Sequence, residues 1–250
     1  MKHRLPLRLF ALIAALAATP RAFAQVRLWT ADLPAMEGAV PAEQRTLRPV
    51  AIIATRNGAF SGKVVLESSA PIQGARAALG PLVGPGGALP PAAAQVRFAV
   101  PFESGAGGPS GPEVLLEKPP SATVASARAG HLLPIWVTVR VPKTARAGRY
   151  AGELTVQAEG LSATRVPVSV EVSDFALPDP QNFRTWCDVV QSPDTLALEY
   201  GTPLWSPRHW ELIARSFQLI SGSGSRMLYV PLIVRTNLGN EQSMVRWISK

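Results

Sequence analysis

From Val26 to about Val172, apolar and polar residues alternate over short stretches set apart by Gly, Pro, Asn and Ser. A period of two places every second side chain on one face, so the pattern predicts half-buried strands joined by turns. Eight strands follow: Val26 to Trp29, Val50 to Thr55, Phe60 to Ser68, Gln95 to Val100, Val114 to Leu116, Ile135 to Val141, Tyr150 to Gln157 and Arg165 to Val172. The alternation is clearest in the last three. Val137, Val139 and Val141 share a face, as do Leu154 and Val156, and Val166, Val168, Val170 and Val172. Arg56-Asn57-Gly58 is a hairpin signal and Ala147-Gly148 another, because Asn and Gly accept the positive φ of tight turns. Many short strands of this kind predict an immunoglobulin-like β-sandwich. Pro71 to Pro91 and Ser104 to Pro112 break the pattern and read as surface loops; neither has the spacing or the following helix of a phosphate-binding loop.

The period changes after Asp174. Leu177-Pro178-Asp179-Pro180 reads as a stiff linker, since each proline disfavours helix in the residue before it and cannot join a central ladder. The expected organisation is a β-sandwich over 25–177, a linker over 178–182 and a second unit over 183–250. In that unit Phe183 to Val190 reads as a short strand, and Ser192-Pro193 and Ser206-Pro207 as helix starts with serine caps. Trp210, Ile213, Phe217 and Ile220 recur at helical spacing as a core stripe, and the helix stops near Gly222. Met227 to Val234 is a continuous apolar run, expected for a strand covered on both faces, although Pro231 interrupts it. Strand, helix, strand is the opening of an α/β unit with a parallel sheet. Since a closed (β/α)8 barrel takes roughly 250 residues, 183–250 is expected to be the truncated start of a TIM-type barrel.

Composition narrows the class. The chain has 250 residues with 20 Gly and 24 Pro, which excludes an all-helical protein, and 47% hydrophobic against 17% charged residues excludes general disorder. Met1 to Ala24 has a basic start (Lys2, Arg4, Arg8), an apolar centre from Leu9 to Ala18 and Ala22-Phe23-Ala24 before Gln25. This is the form of a cleaved secretory signal peptide, so a secreted or periplasmic protein with no membrane span after cleavage is expected. The formal charge of +8 points first to nucleic acid, but Lys2, Arg4, Arg8 and Arg21 supply half of it from the leader. The remaining cations are scattered and no nucleic-acid motif accompanies them, so no nucleic-acid partner is expected. Cys187 is the only cysteine, which excludes an intrachain disulfide and a cysteine-based zinc cluster. His131 and His209 lack a spaced second ligand or a serine partner, so neither a metal nor a catalytic triad is expected, and no cofactor.

Three stretches carry a family resemblance: WVTVRVPKTARAGRYAGELTV (Trp136 to Val156), VPVSVEVSDFALPDP (Val166 to Pro180) and LYVPLIVRTNLGNEQSMVRWI (Leu228 to Ile248). They resemble secreted bacterial proteins related to family 123 of the glycoside hydrolases. The resemblance implies a β-sandwich followed by a (β/α)8 barrel, and hydrolysis of β-linked N-acetylgalactosamine with the substrate's own acetamido oxygen as nucleophile. It also implies an adjacent Asp-Glu pair, in which Asp steadies the acetamido group and Glu protonates the leaving oxygen. No Asp-Glu dipeptide occurs in this sequence. No catalytic residue is therefore assigned, and the catalytic carboxylates are expected beyond this chain, which reads as the N-terminal portion of an exported protein acting on N-acetylhexosamine glycans.

Barrel enzymes build their sites at the carboxyl ends of the strands. Asp188 follows the first expected barrel strand, and Arg235, Thr236 and Asn237 follow the second. Arg235 and Asn237 are candidates to hydrogen-bond sugar hydroxyls, Asp188 to orient substrate, and Trp186 and Trp205 to stack on a sugar ring. The competing reading is a non-catalytic secreted β-sandwich that binds a glycan or a surface protein.

Overall fold

The computed structural model describes residues 25–104, 108–123, 130–185, 188–189, 192–227, 229 and 232–235. Residues 1–24, read from sequence as a signal peptide, lie outside the described residues. Eleven strands are described: β1 (Arg27–Ala31), β2 (Val50–Arg56), β3 (Gly58–Ser68), β4 (Arg76–Leu79), β5 (Val83–Gly84), β6 (Gly87–Ala88), β7 (Ala94–Ser104), β8 (Gly108–Leu116), β9 (His131–Val141), β10 (Gly148–Ala158) and β11 (Leu161–Ala176). Two helices follow, α1 (Pro193–Glu199) and α2 (Pro207–Ser221).

The protein is mainly β and its strands form two sheets. The first is antiparallel with the order β1-β3-β9-β7-β8. The second runs β2-β11-β10-β5-β6, with β4 also paired to β10, and its β2–β11 pair is parallel. The alternation read from sequence supplies the layer between them. Val64, Leu66, Ile135, Val137 and Val139 from the first sheet meet Ile52, Leu154, Val156, Val166, Val168 and Val170 from the second in one buried cluster. Full burial of each such side chain contributes about 1.5–3 kcal/mol, and this layer fixes which face of every strand turns inward.

Prolines mark where pairing stops. Pro134 lies in β9, between two neighbours, yet β7 pairs with β9 only from Ile135 onward. Pro167 lies in β11, one residue before its pairing with β2 begins at Val168. Each missing N–H thus falls off the ladder's end on that side, which is why β9 extends back to His131 along β3.

Both expected hairpins are instead arches between sheets. Asn57 does take positive φ (64°), but β2 before it and β3 after it belong to different sheets. Gly148 (φ 126°) likewise begins β10 in the second sheet after β9 in the first. Two-residue hairpins lie instead at Glu159-Gly160, where Ala158 pairs with Leu161 and Gly160 takes φ 84°, and at Pro85-Gly86, where Gly84 pairs with Gly87. Pro71 to Pro91 is not a free surface loop: it holds β4, β5 and β6 and buries Ile72, Ala75, Leu82 and Leu89 in the core. Gly108 to Pro112, read as loop, pairs with β7 as part of β8.

Beyond the sheets, both serine caps form as expected. Ser192 Oγ accepts from the Thr195 N–H, Ser206 Oγ accepts from the His209 N–H, and α2 ends against Gly222. The buried face of α2 is His209, Leu212 and Ile213, whereas Trp210 is 47% exposed, so the stripe is turned by about one residue from the expected one. Phe183–Thr185 and Asp188–Val189 are not in a strand, and neither are Met227, Tyr229 or Leu232–Val234. Leu232 and Ile233 are more than half exposed, not covered on two faces. No helix among the described residues is long and apolar enough to cross a membrane.

Candidate functional site

Of the five residues singled out from sequence, Trp186 and Asn237 lie outside the described residues, as does Thr236. Asp188 is exposed and accepts a long hydrogen bond from the Tyr229 hydroxyl at 3.5 Å. Arg235 takes a positive φ of 53°. Trp205 is held differently, by the loop between the helices. Its φ is 62°, a conformation rare for a bulky residue, and its N–H donates to Nδ1 of His209 at 2.9 Å. Its ring lies 5.2 Å from that of His209 and 5.6 Å from that of Trp210.

His209 is fully buried, and its Nε2 lies 2.8 Å from the Pro193 carbonyl oxygen. Because Nδ1 accepts from a backbone N–H, Nε2 carries the proton and donates to that carbonyl. His209 thereby ties the start of α1 to α2 and the Trp205 loop. The structure brings Trp205 together with His209 and Trp210; among the described residues it shares no hydrogen bond or ring contact with Asp188.

A second assembly, on the outer face of the first sheet, was not singled out from sequence. Lys63 on β3 is buried there, and its Nζ donates to Glu37 Oε1 (2.6 Å) and to the carbonyl oxygens of Leu33 (3.1 Å) and Ala35 (2.9 Å). It also lies 5.4 Å from the centre of the Trp136 ring. Arg45 repeats the device one strand away. It bonds the Val40 carbonyl through two nitrogens, pairs with Glu67, and lies 5.6 Å from the Trp29 ring. A buried ammonium is tolerable only with its donors satisfied, so these contacts strap the segment between β1 and β2 onto the sheet.

The strap leaves the rest of that face open. Two hollows remain beside it. One, of about 580 Å³, reaches from this face to β2 of the second sheet and is lined by Arg48, Ile52, Ile53, Phe60, Lys63 and Trp136 among others; the other, of about 250 Å³, is lined by Ala92 to Gln95, Thr138 and Arg140. Between them the hydroxyls of Ser61 and Thr138 meet at 2.8 Å. The signal for this face was present in the alternation: Trp136, Thr138 and Arg140 are the out-of-phase partners of Val137, Val139 and Val141.

No protein-family model matches the chain, and no characterised protein matches it in sequence. Among solved structures, it is similar to a family 123 glycoside hydrolase from Clostridium perfringens, described in connection with glycolipid glycan hydrolysis. The TM-score is 0.67 at 15% identity, over 81% of this chain and 37% of that one. At that identity the likeness is one of fold, and the chain spans 37% of the hydrolase's length. An ASH/PapD-like domain of human CEP192 matches at a TM-score of 0.28 and 12% identity, over 68% of this chain and 99% of that one. The N-terminal domain of PorA matches at 0.26 and 16%, over 59% and 97%. Scores of that size carry no structural argument.

Proposed function

We propose that this chain is the N-terminal part of an exported glycoside hydrolase-like protein directed at N-acetylhexosamine glycans, and that by itself it binds glycan without cleaving it. The observation that carries this reading is the extent of the fold likeness. The two sheets run from 27 to 176, and a match over 81% of the chain takes in residues beyond them. The immunoglobulin-like sandwich, the linker over 178–182 and the start of a (β/α)8 barrel over 183–250 belong to this proposal, as does export through the leader. Asp188, Trp186, Trp205, Arg235 and Asn237 are its sugar-contacting residues after the linker.

Catalysis within this chain is disfavoured on chemical grounds. Acetamido-assisted hydrolysis needs one carboxylate held charged and a neighbouring one kept protonated, and no adjacent Asp-Glu pair exists here. Two measurements test the reading. On an array of glycans the full chain is expected to bind members that contain N-acetylhexosamine, and silence on all of them overturns it. With an aryl β-N-acetylgalactosaminide no turnover is expected; turnover abolished by changing one carboxylate of this chain would show a complete site and refute the division of labour.

A further inference from the structure

We infer that the open part of the first sheet's outer face, centred on Trp136, is a binding platform for an acidic glycan, distinct from the residues after the linker. Pairing register sets its layout. Trp136 on β9 is flanked by Lys63 on β3 and Arg97 on β7; Thr138 is flanked by Ser61 and Gln95; Arg140 lies two residues further along β9. With strands about 4.8 Å apart and about 3.3 Å per residue, three strands and the run from Trp136 to Arg140 present a surface of about 10 by 13 Å.

The side chains on it suit a sugar more than a protein. Trp136 is the aromatic residue among the outward positions of these three strands from Ser61 to Lys63, Gln95 to Arg97 and Trp136 to Arg140. Trp136 is half-buried, lines the larger hollow, and has the buried Lys63 ammonium fixed beside it, so the ring is held in place before any ligand arrives. A fixed ring of this kind offers a flat face to the C–H side of a pyranose. Around it Ser61, Thr138 and Gln95 supply hydroxyl and amide groups that bond sugar hydroxyls in either direction.

Charge selects the class of glycan. Lys63 is neutralised by Glu37, and Arg48 pairs with Asp32. Arg97 and Arg140 carry no hydrogen bond or ion pair among the described residues, and stand on either side of the Thr138–Gln95 row. Among the described residues, Glu117 accepts from Gln95 Nε2 at 3.4 Å. The guanidinium of Arg97 beside the ring and that of Arg140 four residues along β9, neither with a hydrogen bond or ion pair among the described residues, match sugar carboxylates or sulfates, which arginine binds in bidentate fashion. The N-acetylhexosamine component of the ligand rests on the function proposed above; its acidic component rests on Arg97 and Arg140.

The test is titration of the full chain by calorimetry with chondroitin sulfate, with unsulfated chondroitin and with neutral chito-oligosaccharides, repeated with the R97Q/R140Q and W136A variants. R97Q/R140Q changes exposed or half-buried polar groups only, and keeps the question answerable if W136A fails to fold. Chondroitin sulfate is expected to bind most tightly, with affinity falling steeply as salt rises. R97Q/R140Q is expected to weaken it at least tenfold while leaving the melting temperature unchanged, and W136A to weaken all three ligands. Glycan binding that survives R97Q/R140Q unchanged overturns the platform and leaves the proposed function standing. Binding of none of the three, together with silence on the array, overturns both.

Discussion

The side-chain amide of Asn57 donates to the carbonyl oxygen of Leu177 at 3.0 Å and to the carboxylate of Asp179 at 2.9 Å, so the arch between the sheets holds the chain's exit from the last strand. The Leu177 N–H returns a bond to the Arg56 carbonyl at 2.9 Å, and Lys143 Nζ closes on Asp179 at 2.9 Å. A segment that reads from its prolines as a stiff spacer is therefore docked against the two neighbouring arches at one end of the sheets.

Two substitutions at Asn57 separate its roles. Asn57→Gly keeps the positive φ and loses the amide, and is expected to cost about 1 kcal/mol for the part-buried bond to Leu177. Asn57→Ala adds backbone strain in the left-handed region and is expected to cost about 2–3 kcal/mol in total. Urea unfolding of both variants measures the difference; equal losses would show that φ is not the constraint.

Docking of the linker is expected to weaken in acid. Hydrogen bonds from Lys143 and then Asn57, with the charge of Lys143, hold the Asp179 carboxyl below its ordinary 3.8. A carboxyl lowered in the folded state stabilises it fully above the unfolded value, and that contribution is lost as pH falls through 3.8 toward the lower folded value. The protection factor of the Leu177 N–H, exchange normalised to the intrinsic rate at each pH, is expected to fall below pH 4, and Asp179→Asn to remove that fall.

Lys63→Met removes the ammonium and leaves the Glu37 carboxylate and two carbonyl groups buried without their donor. Losing one partner of a buried pair is expected to cost about 3–5 kcal/mol. The double variant Lys63→Met/Glu37→Leu should recover part of that loss in denaturant titrations. A loss below 1 kcal/mol for the single variant would mean that the strap does not hold the sheet.

His209→Ala is expected to loosen the Trp205 loop and the α1–α2 contact while leaving the two sheets folded. The wild-type ring should show the Nε2–H tautomer in its nitrogen chemical shifts. An Nδ1–H tautomer would contradict the bond from the Trp205 N–H.

How much of this the sequence disclosed depends on how local each determinant is. The inward positions of β9, β10 and β11 follow from a two-residue period, and the serine caps from groups three residues apart, so both were legible. Asn57 and Gly148 disclosed their φ but not their partners, because a turn residue reports backbone conformation and not which sheet the next strand joins. Lys63 and Glu37 lie 26 residues apart, and Trp136 is further still, so nothing local joined them. The α2 stripe was turned because His209, polar by type, is buried through two hydrogen bonds that only the fold supplies.

The most direct test of the central claim, that this chain is a glycan-binding module, is chemical-shift mapping of the labelled full chain with chondroitin sulfate. Saturable shifts are expected at the Trp136 indole N–H, Ser61, Gln95, Arg97, Thr138 and Arg140, with the inward-facing valines of β9 unmoved. Absence of any shift would contradict that claim; shifts confined to 183–250 would overturn the Trp136 platform and leave the glycan-binding reading standing.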